Sequence, residues 1–138
     1  MATRLPKDYT PTEKEPFMNA RQREYFRRKL LDWREEIIKE TRETVHGLQS
    51  ESIHHPDEAD RAAAESEKTL ELRTRDRQRK LVTKIDAALR RIDDKTYGYC
   101  EETGDPISLK RLEARPIATL SIEAQERHER KERVYRDE

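Results

Sequence analysis

The side chains best suited to chemistry are two carboxylates, Asp57 and Asp60, in the short acidic stretch His54-His55-Pro56-Asp57-Glu58-Ala59-Asp60. An aspartate after a proline, with a second acid three residues on, is what a helix start shows. Such carboxylates accept exposed amide protons and lie at the positive end of the helix dipole. Presented to a partner, the same pair could also reach a basic side chain or a bound Mg²⁺, and the two roles are compatible. His54 and His55 could add metal ligands, but adjacent histidines beside a turn are usually solvated, and a structural metal asks for about four ligands.

Two long, charge-rich runs flank this stretch and must position it. In the first, Phe26, Leu30, Trp33, Ile37, Thr41, Val45 and Leu48 step by threes and fours, one stripe of a helix facing a partner. Gly47 costs that helix about 1 kcal/mol. The second run begins at Pro56-Asp57 and carries Ala62, Leu70, Leu81, Ile85, Ala88 or Leu89, and Ile92 on a similar stripe. Between Leu72 and Leu81 the stripe is interrupted by Arg73, Arg75, Asp76, Arg77, Arg79 and Lys80, long side chains that can lie along a thin seam with their heads in water. The pattern predicts an all-α fold built on a long antiparallel coiled-coil hairpin. Helices of about 35 residues would hold the acidic tip roughly 50 Å from the rest of the molecule.

Composition favours a protein that binds over one that encloses a substrate. The chain has 138 residues, of which 32% are apolar and 43% charged, so one domain with a narrow seam is expected rather than a broad core. Lys plus Arg and Asp plus Glu number 30 each, leaving no overall basic field for direct nucleic-acid binding. The charge is nevertheless segregated. Glu51, Asp57, Glu58, Asp60, Glu65 and Glu67 outweigh Arg61 and Lys68 at the tip, whereas arginines and lysines outweigh acids from Leu70 to Ile92. An acidic point suits a positive or metal-containing cavity, and a basic shaft suits an acidic rim or an anionic ligand. The absence of a long apolar run, the polar opening Met1-Ala2-Thr3-Arg4-Leu5-Pro6 and a single cysteine, Cys100, predict a cytoplasmic protein with no membrane association and no internal disulfide.

Residues 1–18 read as an N-terminal tail and the start of a small globular end, with 1–16 mobile through the prolines at 6, 11 and 16. Residues 19–95 form the hairpin, with its tip at 54–60. Residues 96–138 hold a loop-rich stretch and a C-terminal helix. Gly98, in Tyr97-Gly98-Tyr99, is placed to cap the second long helix, and Ser121 to start a last helix running to about Tyr135.

Several separated motifs together resemble the DksA family of bacterial RNA polymerase-binding transcription factors (DksA/TraR type). They are Pro56-Asp57-Glu58-Ala59-Asp60-Arg61-Ala62-Ala63, Leu70-Glu71-Leu72-Arg73-Thr74-Arg75-Asp76-Arg77 with Arg79-Lys80-Leu81, Tyr97-Gly98-Tyr99-Cys100-Glu101, and Arg111-Leu112-Glu113-Ala114-Arg115-Pro116. Glu15-Pro16-Phe17-Met18-Asn19 and Phe26-Arg27-Arg28 also fit, so the resemblance spans roughly residues 15 to 130. It implies a hairpin that enters the polymerase secondary channel and brings its tip near the catalytic Mg²⁺. Asp57, Asp60 and Ala62 match the family's tip motif, and Arg73 and Arg77 match arginines that contact the channel rim. The implied function is regulation of initiation in the stringent response: with the alarmone ppGpp, ribosomal RNA promoters are repressed and some biosynthetic promoters activated. Transcript cleavage is not the implied activity.

Leu81, Lys84 and Arg115 match positions that form this family's half of a ppGpp site with polymerase. As residues alone, Lys84 and Arg115 read as ordinary solvated cations, though clustered cations also suit a phosphate cluster. A lysine usual at the start of the last helix is replaced by Gln125, so one positive charge is missing unless Lys110 or Arg111 supplies it. The four zinc-ligand positions of the common family form read Cys100, Thr103, Ser121 and Ala124. Thr and Ser hydroxyls are poor zinc ligands and Ala offers none, so the expectation is a degenerate, zinc-independent knuckle with no metal cofactor. A site from Cys100, His128 and a carboxylate is the one alternative for a metal.

Other classes fit less well. No nucleophile-base arrangement or Gly-rich phosphate loop supports an enzyme. A generic helical-hairpin adaptor, a coiled-coil oligomer and a cleavage-factor-like elongation regulator are the remaining alternatives to a monomeric polymerase regulator.

Overall fold

The computed structural model describes residues 4–50 and 58–136, with side chains for all of these except 44–50 and 136. The described residues form four helices: α1 (Ala20–Ser50), α2 (Glu58–Asp93), α3 (Leu109–Ala114) and α4 (Ile122–Arg136). Among them the strand-like pairing amounts to an isolated bridge between Tyr99 and Pro106. The fold is thus all-α, a helical hairpin with a C-terminal helix, as the periodicity predicted. The chain divides into two compact units, Met1–Leu30 with Ile85–Glu138, and Leu31–Lys84.

In the first unit α1 begins where Asn19 Oδ1 accepts the Gln22 amide proton at 2.8 Å, an N-cap supplied by the local sequence. Gln22 is fully buried, and a buried amide must find partners. Its Oε1 accepts from the Met18 amide at 2.7 Å and its Nε2 donates to the Thr12 carbonyl at 3.1 Å. The Tyr9 hydroxyl donates to Glu15 at 2.5 Å, and Glu15 accepts from Asn19 Nδ2 at 3.2 Å. Residues 9–19 are therefore fastened to the start of α1, where composition alone suggested a mobile tail.

Phe26 and Leu30 of α1 and Ile85 and Ala88 of α2 are wholly buried, with Ile92 nearly so, which makes the lower part of both predicted stripes the core of this unit. Tyr97 joins them, its ring 5.6 Å from that of Phe26 and its hydroxyl donating to the Pro116 carbonyl at 2.7 Å. Glu24 is buried beside this core and accepts from Arg27 at 2.8 Å and Arg28 at 3.0 Å.

The end of α2 departs from expectation. Lys95, at φ +64°, takes the left-handed position itself, with Lys95 N donating to Ile92 O at 3.1 Å and Thr96 N to Arg91 O at 2.8 Å. These two bonds make a Schellman cap. Gly98, also at positive φ (+91°), serves a different need: a β-carbon there would lie 3.1 Å from Met18 Cγ and 3.2 Å from Phe17 Cζ. The stretch read as loop also contains α3, capped by the Ser108 hydroxyl, which accepts from the Arg111 amide. Its six residues between Pro106 and Pro116 are too few to show a periodicity.

In the second unit Ile37 is buried, and the facing helices meet at a polar pair. The Thr41 hydroxyl lies 2.9 Å from Gln78 Oε1, while Gln78 Nε2 donates to Glu40 at 3.4 Å. Gln78 precedes Leu81, Ile85, Ala88 and Ile92 at heptad spacing, and the same register carried toward the tip passes through Glu71 and Ala64, both half-buried. Leu70 falls off that line and is 60% exposed, and Ala62 is exposed, so neither belongs to the seam. Trp33 is half-buried, and the side chains of Val45 and Leu48 lie outside the described ones.

Candidate functional site

Helix α2 opens with Glu58 and Asp60 in its first turn, where carboxylates oppose the positive end of the helix dipole. Both are exposed, as is Ala62. Asp57, His54 and His55 lie outside the described residues, so the aspartate pair is placed only through Asp60.

Farther along α2, Arg73 and Arg77 stand one turn apart, both exposed, around a shallow hollow shared with Leu72 and Lys80. The hollow's acid, Asp76, accepts from Arg79 at 2.6 Å and from Lys80 at 3.2 Å. Lys80 first, then Arg79, holds the Asp76 carboxyl below its ordinary value. Arg73 and Arg77 make no ion pair among the described residues, which leaves their guanidinium forks available to a partner.

Leu81 is half-buried and Lys84 exposed, both in the unit Leu31–Lys84. Arg115 belongs to the other unit, exposed at the end of α3, where its amide donates to Arg111 O at 2.7 Å. The Gln125 amide nitrogen donates to Glu129 at 3.3 Å. Of the two cations considered as replacements for the missing charge, Arg111 donates through Nε to the Leu120 carbonyl at 2.8 Å, which ties α3 to the segment before α4. Lys110 is exposed.

Of the four knuckle positions, Thr103 and Ser121 border Cys100, and Ala124 is tied to Ser121. Cys100 is buried, and burial works against its ionisation. The Thr103 hydroxyl and the backbone amides of Ser121, Thr103 and Glu102 nevertheless converge on its sulfur and draw the thiol down to about 6. Thr103 in turn accepts from the Asp105 amide at 3.2 Å, giving its hydroxyl the orientation to donate to sulfur. The Ser121 hydroxyl accepts from the Ala124 amide at 3.3 Å, the predicted helix cap. Ala124 is fully buried, and its methyl side chain offers no donor atom. His128 instead pairs with Glu102, which Arg127 approaches at 3.8 Å. Among the described residues no group of three or more His, Cys, Asp or Glu could hold a metal ion. Thr103 and Ser121 offer only neutral hydroxyls and Ala124 no donor at all, so the residues present do not fit a four-ligand zinc site.

Comparison with known proteins identifies the family that the chain resembles. The family "DnaK suppressor protein DksA, N-terminal domain" matches residues 22–92. The "Prokaryotic dksA/traR C4-type zinc finger" matches residues 95–130. A protein of Caulobacter vibrioides named "RNA polymerase-binding transcription factor DksA" is 68% identical over 131 residues, covering 95% of this chain and 92% of its own. The Escherichia coli protein of the same name is 48% identical over 109 residues, covering 79% and 72%. Among solved structures, transcription factor DksA2 from Pseudomonas aeruginosa superposes with a TM-score of 0.78 at 43% identity, covering 85% of this chain and 90% of its own. The zinc-finger match tells against the expectation of a variant lacking the family's finger: residues 95–130 are similar to that finger. With matches along nearly its whole length, the chain belongs to the DksA family.

Proposed function

We propose that this chain binds RNA polymerase and regulates transcription initiation by inserting the acidic end of its hairpin into the secondary channel, with ppGpp as co-regulator. The observation that carries this reading is the exposed acidic first turn of α2, Glu58 and Asp60, on the same helix as the exposed, unpaired Arg73 and Arg77. An acid tip seeks the cation-rich active centre, and the arginine forks seek an acidic rim. The names of the relatives support polymerase as the partner. Leu81, Lys84 and Arg115 are assigned to the alarmone, with Lys110 as the cation that offsets Gln125. The chain acts as a cytoplasmic monomer, performs no catalysis, reads no DNA sequence itself and needs no zinc, its knuckle being held by hydrogen bonds to Cys100.

In vitro transcription from a ribosomal RNA promoter, with and without ppGpp, tests this. The chain lowers transcript yield, more so with ppGpp. Asp57→Asn and Asp60→Asn variants lose the effect while still binding polymerase. If these variants both bind and regulate as before, the tip carboxylates do no more than cap a helix.

A further inference from the structure

A second surface of the hairpin is suited to a partner. In the unit Leu31–Lys84, α1 and α2 enclose an open groove with a cavity volume of about 530 Å³. Its apolar floor comprises Ile38, Leu72 and Val82, and its rim carries Arg42, Arg75 and Arg79. At about 100° per residue, Arg75, Arg79 and Val82 project on the opposite side of α2 from Arg73 and Arg77, roughly 180° away, with the Gln78 seam between them. The groove adjoins the hollow at Arg73 and Arg77, sharing Leu72 and Asp76 with it, but the two sets of arginines stand on opposite flanks of α2.

Three features indicate what would fill it. The rim is basic: its acid, Asp76, is already engaged by Arg79 and Lys80, whereas Arg42 and Arg75 are exposed and make no ion pair among the described residues. The floor is apolar and incompletely covered, with Leu72 53% exposed at its edge. Among the described residues the lining has no aromatic side chain on which a base could stack, which disfavours a nucleic-acid strand. A segment with carboxylates along its borders and an apolar ridge between them would neutralise the rim and cover the floor, as an amphipathic helix does in a groove.

We infer that this groove is a second docking surface, occupied by an acidic, amphipathic segment of RNA polymerase, so that the hairpin is gripped on both flanks rather than along Arg73 and Arg77 alone. This rests on the functional reading above, which supplies the partner.

The test uses the full chain, fluorescently labelled and titrated with purified RNA polymerase. Arg42→Glu with Arg75→Glu, at exposed positions that leave the fold intact, weakens binding by about tenfold, and the difference shrinks as salt rises. Arg73→Glu with Arg77→Glu weakens it independently. A photo-crosslinking residue substituted for Arg75 attaches to a polymerase segment rich in Asp and Glu. If the Arg42/Arg75 variant binds like the parent while the Arg73/Arg77 variant does not, the groove proposal is overturned and the polymerase reading stands. Crosslinking at position 75 to nucleic acid, or to nothing, overturns the groove proposal equally. If the parent chain does not bind polymerase at all, the functional reading fails and takes the groove's occupant with it.

Discussion

Gly98→Ala tests how the N-terminal segment is joined to the knuckle. At φ +91° any β-carbon is strained, a cost of about 1–2 kcal/mol for an L-residue. The new methyl group would also stand 3.1 Å from Met18 Cγ, 3.2 Å from Met18 Cε and 3.2 Å from Phe17 Cζ, closer than ordinary packing. Met18 is buried, and its own backbone sits at φ +51°, so it has little room to retreat. Overpacking of this kind costs about 1–2 kcal/mol more. The chain offers its own control in Gly104, at φ +75° with nothing within 4 Å of the place a methyl group would take, where Ala carries the backbone cost alone. Urea denaturation followed by circular dichroism should give a loss of about 2–4 kcal/mol for Gly98→Ala and about 1–2 kcal/mol for Gly104→Ala, at unchanged slope. Adding Met18→Ala, which removes the two nearest atoms, should close most of that gap, so the pair is markedly non-additive. Equal losses at the two glycines would refute the close approach of Met18 to Gly98, and with it the fastening of residues 9–19.

Arg111→Ala removes the charge-assisted bond to the Leu120 carbonyl and should cost about 1.5–3 kcal/mol by the same denaturation measurement. Acid should loosen the first unit through its paired carboxylates. Hydrogen bonding by Arg27 outweighs burial and holds Glu24 below 4.5, and Lys29 and Tyr25 overcome the burial of Glu113 to do the same. A carboxyl with a depressed folded value stabilises fully above the unfolded value and loses that contribution as pH falls below it. Glu24→Gln should therefore differ most from the parent at neutral pH and converge with it as pH falls through the ordinary carboxylate range and below. Chelation should leave the thermal midpoint and helicity unchanged, and protein purified without chelator should contain no stoichiometric zinc; one zinc per chain would refute the hydrogen-bonded knuckle.

Much of this molecule is legible in its residues. Phe26, Leu30, Ile85 and Ile92 announce the helical pair through spacing alone, because a seam one side chain wide leaves a strict 3-4 pattern in the sequence. Ser121 announces α4 because an N-cap is a local event. What escapes is chiefly non-local or polar. Gln78 occupies a heptad position yet is not apolar, so a stripe of apolar residues omits its partnership with Thr41 and includes Leu70, which lies off the register. Lys95 takes the capping role expected of Gly98 because a left-handed residue needs only a tolerable φ, whereas Gly98 answers to Met18, far earlier in the chain. The amide protons around Cys100 belong to the backbone, and side-chain identity says nothing directly about where backbone amides point. Asp57 lies outside the described residues, so that half of the tip motif rests on the sequence.

The Thr41 and Gln78 contact limits how the two helices of the second unit can pair. Sliding one along the other by a heptad would part the carboxamide from Thr41, and a carboxamide left unmatched in the seam costs about 1–3 kcal/mol. An all-leucine stalk would have no such notch and could settle at several heights. Here a single alignment is favoured, so every charged group on the outside of the stalk is presented at a set elevation.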